Sequence, residues 1–123
     1  MLLAVLALPG CATTAHLDQE FALAIGQRAA VIGTGLELRF LAVTGDSRCP
    51  EGVECFWEGQ VSCRVEVVQA SLRSQVELNT HGGSDGTASL DGYSLKFSVT
   101  PYPVAGQRIA AGEYRLHITI SRD

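Results

Sequence analysis

The sequence predicts an all-β chain folded as an antiparallel β-sandwich or small barrel of about six to eight strands. Three features point there: long stretches of strict period-two hydrophobic alternation, turn residues placed between them, and no stretch with a convincing amphipathic-helix period. At 123 residues, 46% hydrophobic and 18% charged, the chain has the length of one domain and enough apolar content for a packed core.

The strands follow in order. Residues 21–25 are expected as a short strand, and 29–31 as a second short candidate. Leu36, Leu38 and Phe40 alternate with Glu37 and Arg39, and the continuation through Val43 is apolar on both faces. Val61, Cys63, Val65 and Val67 alternate with Ser62, Arg64 and Glu66. Residues 75–79 form another short strand. Tyr93, Leu95, Phe97 and Val99 alternate with polar neighbours, as do Tyr114, Leu116, Ile118 and Ile120. Asp91-Gly92 is a two-residue hairpin signal. Gly33-Thr34-Gly35 is a loop, and 81–86 a flexible glycine-rich tip. Pro101-Tyr102-Pro103 must interrupt a ladder, because proline lacks the amide donor.

The net charge is −4 and the nine basic residues, eight of them Arg, are scattered. Nucleic acid is therefore a poor partner, and no polybasic patch is present to hold anionic lipid. Residues 1–9 are apolar and too short to span a bilayer, which takes about 20 residues. They have the character of a signal-peptide core without its positive n-region, so the true start is expected upstream or elsewhere.

Leu8-Pro9-Gly10-Cys11 resembles the lipobox of bacterial lipoproteins, with Pro9 standing where Ser or Ala is commonest. The resemblance implies cleavage before Cys11, diacylglycerol on its sulfur, and attachment to a membrane outside the cytosol. An uncleaved apolar start or a plain secretory signal is the other reading. The resulting division is a signal peptide over 1–10, the lipidated Cys11 with a tether over 11–20, and one β domain over 21–123. A tether of about nine extended residues reaches about 30 Å. In a Gram-negative cell, Ala12 after the modified cysteine implies the outer membrane, facing the periplasm.

Lipidation removes one of four cysteines from disulfide chemistry. Cys49 and Cys55 are then natural partners, closing a short loop through Pro50 and Gly52; a zinc site for the pair has unsuitable spacing and no nearby His. Cys63 shares parity with Val61, Val65 and Val67, so it is expected in the core as an inert thiol.

The stretch Asp46-Ser47-Arg48-Cys49-Pro50-Glu51-Gly52-Val53-Glu54-Cys55-Phe56-Trp57-Glu58-Gly59 resembles a family of small uncharacterised bacterial envelope lipoproteins sharing a DSRCP–GV–C–W–G pattern. Weaker similarity extends to Gly92-Tyr93 and Pro101-Tyr102-Pro103. The resemblance implies a class and a location but no reaction. Cys63 and the glutamates at 51, 54 and 58 lie outside the pattern.

Asp46 is suited to cap the turn, and Arg48 to pair with Asp46 or reach carbonyls. Counting by twos back from Cys63 places Trp57 in the core beside the disulfide and Phe56 outside; a bulge at Gly59 would reverse the two. Asp46, Arg48, Phe56 and Trp57 are the candidate partner contacts. Asp46, Glu51, Glu54 and Glu58 allow a calcium site, although the spacing matches no calcium loop and Arg48 competes.

No catalytic signature is present. His16, His81 and His117 are far apart, His81-Gly82-Gly83 has no nucleophile elbow after it, and Gly33-Thr34-Gly35 lacks a phosphate fingerprint. No metal and no cofactor is indicated. The expected function is that of a lipid-anchored envelope β-sandwich that acts by binding or by structure, through a membrane anchor and an envelope-protein or cell-wall partner. The alternatives are a periplasmic enzyme with a site near Asp46, Arg48 and Glu54, or a calcium-stabilised module.

Overall fold

A computed structural model of the protein describes residues 12–123. Cys11 and the lipobox-like segment lie outside the described residues, and with them the expectations of cleavage and lipidation.

The described chain is a β-sandwich of nine strands: β1 (Ala12–Ala15), β2 (Phe21–Ala24), β3 (Arg28–Val31), β4 (Leu36–Asp46), β5 (Val61–Gln69), β6 (Leu72–Asn79), β7 (Asp85–Leu90), β8 (Tyr93–Thr100) and β9 (Arg115–Arg122). A single 3-10 turn, Ala111–Glu113, precedes β9. One sheet has the order β1-β3-β4-β5-β6 and the other β2-β9-β8-β7. All pairings are antiparallel except β1 with β3.

The alternation explains the core. Val61, Cys63, Val65 and Val67 from β5 meet Tyr93, Leu95, Phe97 and Val99 from β8 and Leu116, Ile118 and Ile120 from β9, all buried. Leu36, Leu38 and Phe40 complete it from β4. Each strand hides one face and wets the other, as a two-layer sandwich requires. Where β4 was expected to be apolar on both faces, register shifts at Phe40/Ala42 and Val43/Gly45 bend it, and Leu41, Ala42 and Val43 are half-buried.

Three boundaries differ from expectation. Part of the segment expected as a tether is β1: its residues pair with β3 from Ala12↔Arg28 to Ala15↔Val31, and Ala15 is buried. Thr13 Oγ1 accepts from Gln27 Nε2 at 2.9 Å, and the amide of Asp18 donates to the Ile120 carbonyl at 2.8 Å, so this segment touches both sheets. β6 begins at Leu72, earlier than expected. β7 takes in Asp85 and Gly86, expected to belong to the flexible tip. Gly86 pairs with Phe97, and a Cβ there would lie 2.5 Å from the Phe97 ring, so only glycine fits beneath it.

The strand directions place the rest. β4 and β8 finish, and β5, β7 and β9 begin, at one end of the sandwich. β1 runs opposite to β4, so it enters its sheet from the side of that same end.

Candidate functional site

The end where β4 and β8 finish is held by one side chain. Arg48 is 3% exposed, and all five of its guanidinium N–H groups have acceptors. Nε donates to Asp46 Oδ1 at 2.8 Å and Nη2 to Asp46 Oδ2 at 2.6 Å, a bidentate pair. Nη2 also donates to the Pro101 carbonyl at 3.1 Å. Nη1 donates to Ser84 Oγ at 2.6 Å and to the Val99 carbonyl at 2.8 Å. Arg48 and Asp46 belong to the five-stranded side, and Ser84, Val99 and Pro101 to the four-stranded side. The guanidinium thus ties one sheet to the other where their strands end.

Asp46 completes the network. Its Oδ2 also accepts from the Tyr114 hydroxyl at 2.9 Å, and its Oδ1 from the Arg48 amide at 3.3 Å. Burial opposes its charge, but hydrogen bonds from Arg48 and Tyr114 outweigh burial and hold the carboxyl below its ordinary value. Burial, then the bond to Asp46, pushes the Tyr114 phenol up to about 12.

The loop beyond Arg48 is closed by the Cys49–Cys55 disulfide, as expected. Gly59 lies against its base: a Cβ there would sit 2.4 Å from the Ser47 carbonyl oxygen and 2.5 Å from Arg48 Cα. This close crossing ends the regular strand at Val61, so the parity count does not extend to Trp57. Trp57 is therefore not in the core. Its indole Nε1 donates to the Ser47 carbonyl at 2.8 Å, and 54% of the residue is exposed. Phe56 is fully exposed as well, so neither of the two alternatives for this pair describes both residues.

A second loop lies beside the first. The amide of Glu51 donates to the Pro103 carbonyl at 3.0 Å, and Glu51 bridges to Val104. The Tyr102 ring stacks against the Arg48 guanidinium, 5.4 Å from its carbon to the ring centre. Five of the seven exposed large hydrophobic residues in the described chain belong to these two loops: Val53, Phe56, Trp57, Tyr102 and Val104. Single exposed apolar residues are ordinary; here five fall on two loops joined by the Glu51–Pro103 hydrogen bond. Of these five, the sequence reading names Phe56 and Trp57 as candidates and does not name Val53, Tyr102 or Val104. The signal was Pro101-Tyr102-Pro103, which breaks the ladder and pushes the chain between β8 and β9 outward.

Two of the four candidate contacts are thus presented and two are not. Phe56 and Trp57 are on the surface, whereas the Arg48 guanidinium is withdrawn from it and Asp46 is mostly covered. A hollow of about 220 Å³ lined by Asp46, Arg48, Pro50, Pro103, Gln107, Ile109 and Tyr114 is where an enzyme site near Asp46 would lie. Both Asp46 oxygens and all Arg48 donors are engaged inside the protein, and Glu54 is exposed on the loop and does not line the hollow. The arrangement is that of a structural clamp rather than of acid–base machinery. Among the described residues, no three His, Cys, Asp or Glu side chains gather as a metal site. Cys63 is free and buried as expected, and burial pushes its thiol up to about 12.

His81 and His117, distant in sequence, do meet at one feature: a cleft of about 530 Å³ on the outer face of the four-stranded sheet, also lined by Glu20, Asp85, Lys96 and Ser98. His117 Nδ1 lies 3.4 Å from Glu20 Oε2, and its Nε2 shares a hydrogen bond with Thr100 Oγ1 at 2.8 Å. Lys96, Ser98, His117 and Thr119 are the outward half of the alternation on β8 and β9, so this polar face is what a solvated sheet surface presents.

The chain matches no family model, no curated protein and no solved structure.

Proposed function

We propose that this chain is a binding module of the bacterial cell envelope, anchored by lipid on Cys11, whose contact surface is the disulfide-closed loop together with the 101–107 loop. The observation that carries the contact surface is the gathering of Val53, Phe56, Trp57, Tyr102 and Val104 on adjoining loops, above a base fixed by Arg48. Loops held this way lose little conformational freedom on contact, so more of the contact energy appears as affinity. The anchor is supported by the likeness of Leu8-Pro9-Gly10-Cys11 to a lipobox. An envelope protein or cell-wall material is the partner class this surface fits.

Two measurements test the two halves. Intact mass of the membrane-extracted protein without reductant should equal a chain beginning at Cys11, plus acyl groups, with one disulfide. A photo-crosslinking residue at Phe56, introduced in cells, should give adducts that the same group at Leu72 does not. Leu72 is also apolar and exposed but sits in the β5–β6 hairpin at the opposite end. Equal labelling from both positions would remove the proposed surface.

A further inference from the structure

We infer that the surface formed by the two loops receives a cationic protein partner, one that presents arginine or lysine side chains to the aromatic rings. This rests on the contact surface proposed above and specifies the chemistry it selects.

The charge of the surface supports it. Residues 50–58 carry Glu51, Glu54 and Glu58, and neither 50–58 nor 101–107 contains a lysine or arginine. All three glutamates are exposed. The one base at the root of the loop, Arg48, is buried and paired with Asp46, so it offsets none of them. Arg108 follows the second loop in sequence and is the nearest basic residue along that segment. Exposed apolar residues on a loop that carries three exposed carboxylates and no base favour a partner with complementary positive charge, which steers encounter and sets specificity.

The apolar centre has the matching chemistry. Phe56, Trp57 and Tyr102 offer ring faces, and a cation seated on such a ring gains from its quadrupole while its methylene stem covers apolar surface. Tyr102 already holds the Arg48 guanidinium in this way within the protein. Arginine is favoured over lysine, because its planar group both stacks on a ring and bonds a carboxylate in bidentate fashion. An anionic lipid surface is disfavoured by the same three glutamates.

The test uses the full-length protein extracted in detergent and a fluorescein-labelled oligo-arginine peptide. Trp57 is the only tryptophan, so its emission reports contact at the site itself. The peptide should change Trp57 emission, and an oligo-glutamate peptide should not. Phe56→Ala should weaken peptide binding by about two- to fivefold. The triple change E51Q/E54Q/E58Q should weaken it by about tenfold while leaving the far-UV and near-UV spectra unchanged. Added salt should weaken binding to the parent more than to the triple variant.

Peptide binding that is indifferent to Phe56→Ala would overturn the inference, since the attraction would then be general acidity. So would soluble glycan strands that shift Trp57 emission equally in the parent and the triple variant; in that case the surface stands and its cationic partner does not. A blue shift of Trp57 on reconstitution into zwitterionic vesicles, with no peptide added, would assign the surface to lipid instead. Failure of both the peptide titration and the Phe56 crosslink would remove the surface along with the inference.

Discussion

Arg48 Nη1, at the root of a loop leaving one sheet, donates at 2.8 Å to the carbonyl oxygen of Val99, the penultimate residue of a strand in the other. The same guanidinium closes a bidentate pair with Asp46 and reaches the Pro101 carbonyl. Replacing Arg48 leaves the Val99 and Pro101 carbonyls without its donors and leaves the largely covered Asp46 carboxylate uncompensated, held only by the Tyr114 hydroxyl and a backbone amide. Arg48→Ala should destabilise the fold by about 3–5 kcal/mol, the range for breaking a buried pair on one side. Arg48→Lys should recover only part of that, because an ammonium offers three donors and no planar fork. Urea denaturation checks both. An Arg48→Lys variant as stable as the parent would contradict the clamp.

Asp46, held by Arg48 and Tyr114, and Tyr114, buried beside it, each make stability depend on pH. The carboxyl of Asp46 lies below its ordinary value of 3.8 in the folded state, so its contribution is complete above that value and is lost as pH falls through the lower, folded one. Tyr114 is raised from 10.0 to about 12, so its contribution is complete below 10.0 and is lost as pH rises toward about 12. Stability should therefore fall at both extremes. Tyr114→Phe should flatten the alkaline decline, and Asp46→Asn the acid one, each measured as unfolding midpoint against pH.

Gly59 is required by contact rather than by backbone angle. Alanine there would drive a methyl into the backbone of Ser47 and Arg48, which cannot move aside as a side chain can. Gly59→Ala should cost about 1–3 kcal/mol. It should also release Trp57 from the Ser47 carbonyl, seen as a red shift of its emission in the still-folded protein.

Cys63 should be silent in the native state. Burial raises its thiol to about 12, and it has no exposed surface. Iodoacetamide should label it at neutral pH only at the rate of unfolding, and fully in denaturant. Rapid labelling of the folded protein would show that the core opens near β5.

Phe56 is the reverse case. Its side chain is fully exposed, so Phe56→Ala should change stability by no more than about 0.5 kcal/mol while reducing crosslinking to a partner. A large loss of stability would mean that Phe56 supports the fold rather than contacts a partner.

The contrast among these residues shows what a single chain discloses. Val61, Cys63, Val65 and Val67 were legible as inward residues because each is flanked by polar neighbours on a continuous ladder. Trp57 was not, because the count assumes a strand, and the strand ends where Gly59 crosses Arg48. β1 was invisible because Ala12-Thr13-Thr14-Ala15 has too little contrast between faces for alternation to show. The burial of Arg48 was also hidden, since Ser84, Val99 and Pro101 come from distant segments. Its pairing with Asp46, two positions away, and its suitability for carbonyl acceptors were readable; which carbonyls it reaches was not.

The early start of β1 changes what attachment at Cys11 would mean. With Ala12 already paired to Arg28, a single peptide unit of about 3.5 Å would separate acyl chains from the folded body, not a leash of nine residues. Such a body would ride on the bilayer like a moored float, with little room to roll. The attachment point would lie level with Arg39 in the middle of the five-stranded sheet, to which Ala12 is joined through Arg28. Only molecules approaching close to the bilayer would meet the body, so short mooring would confine the encounter to a thin layer.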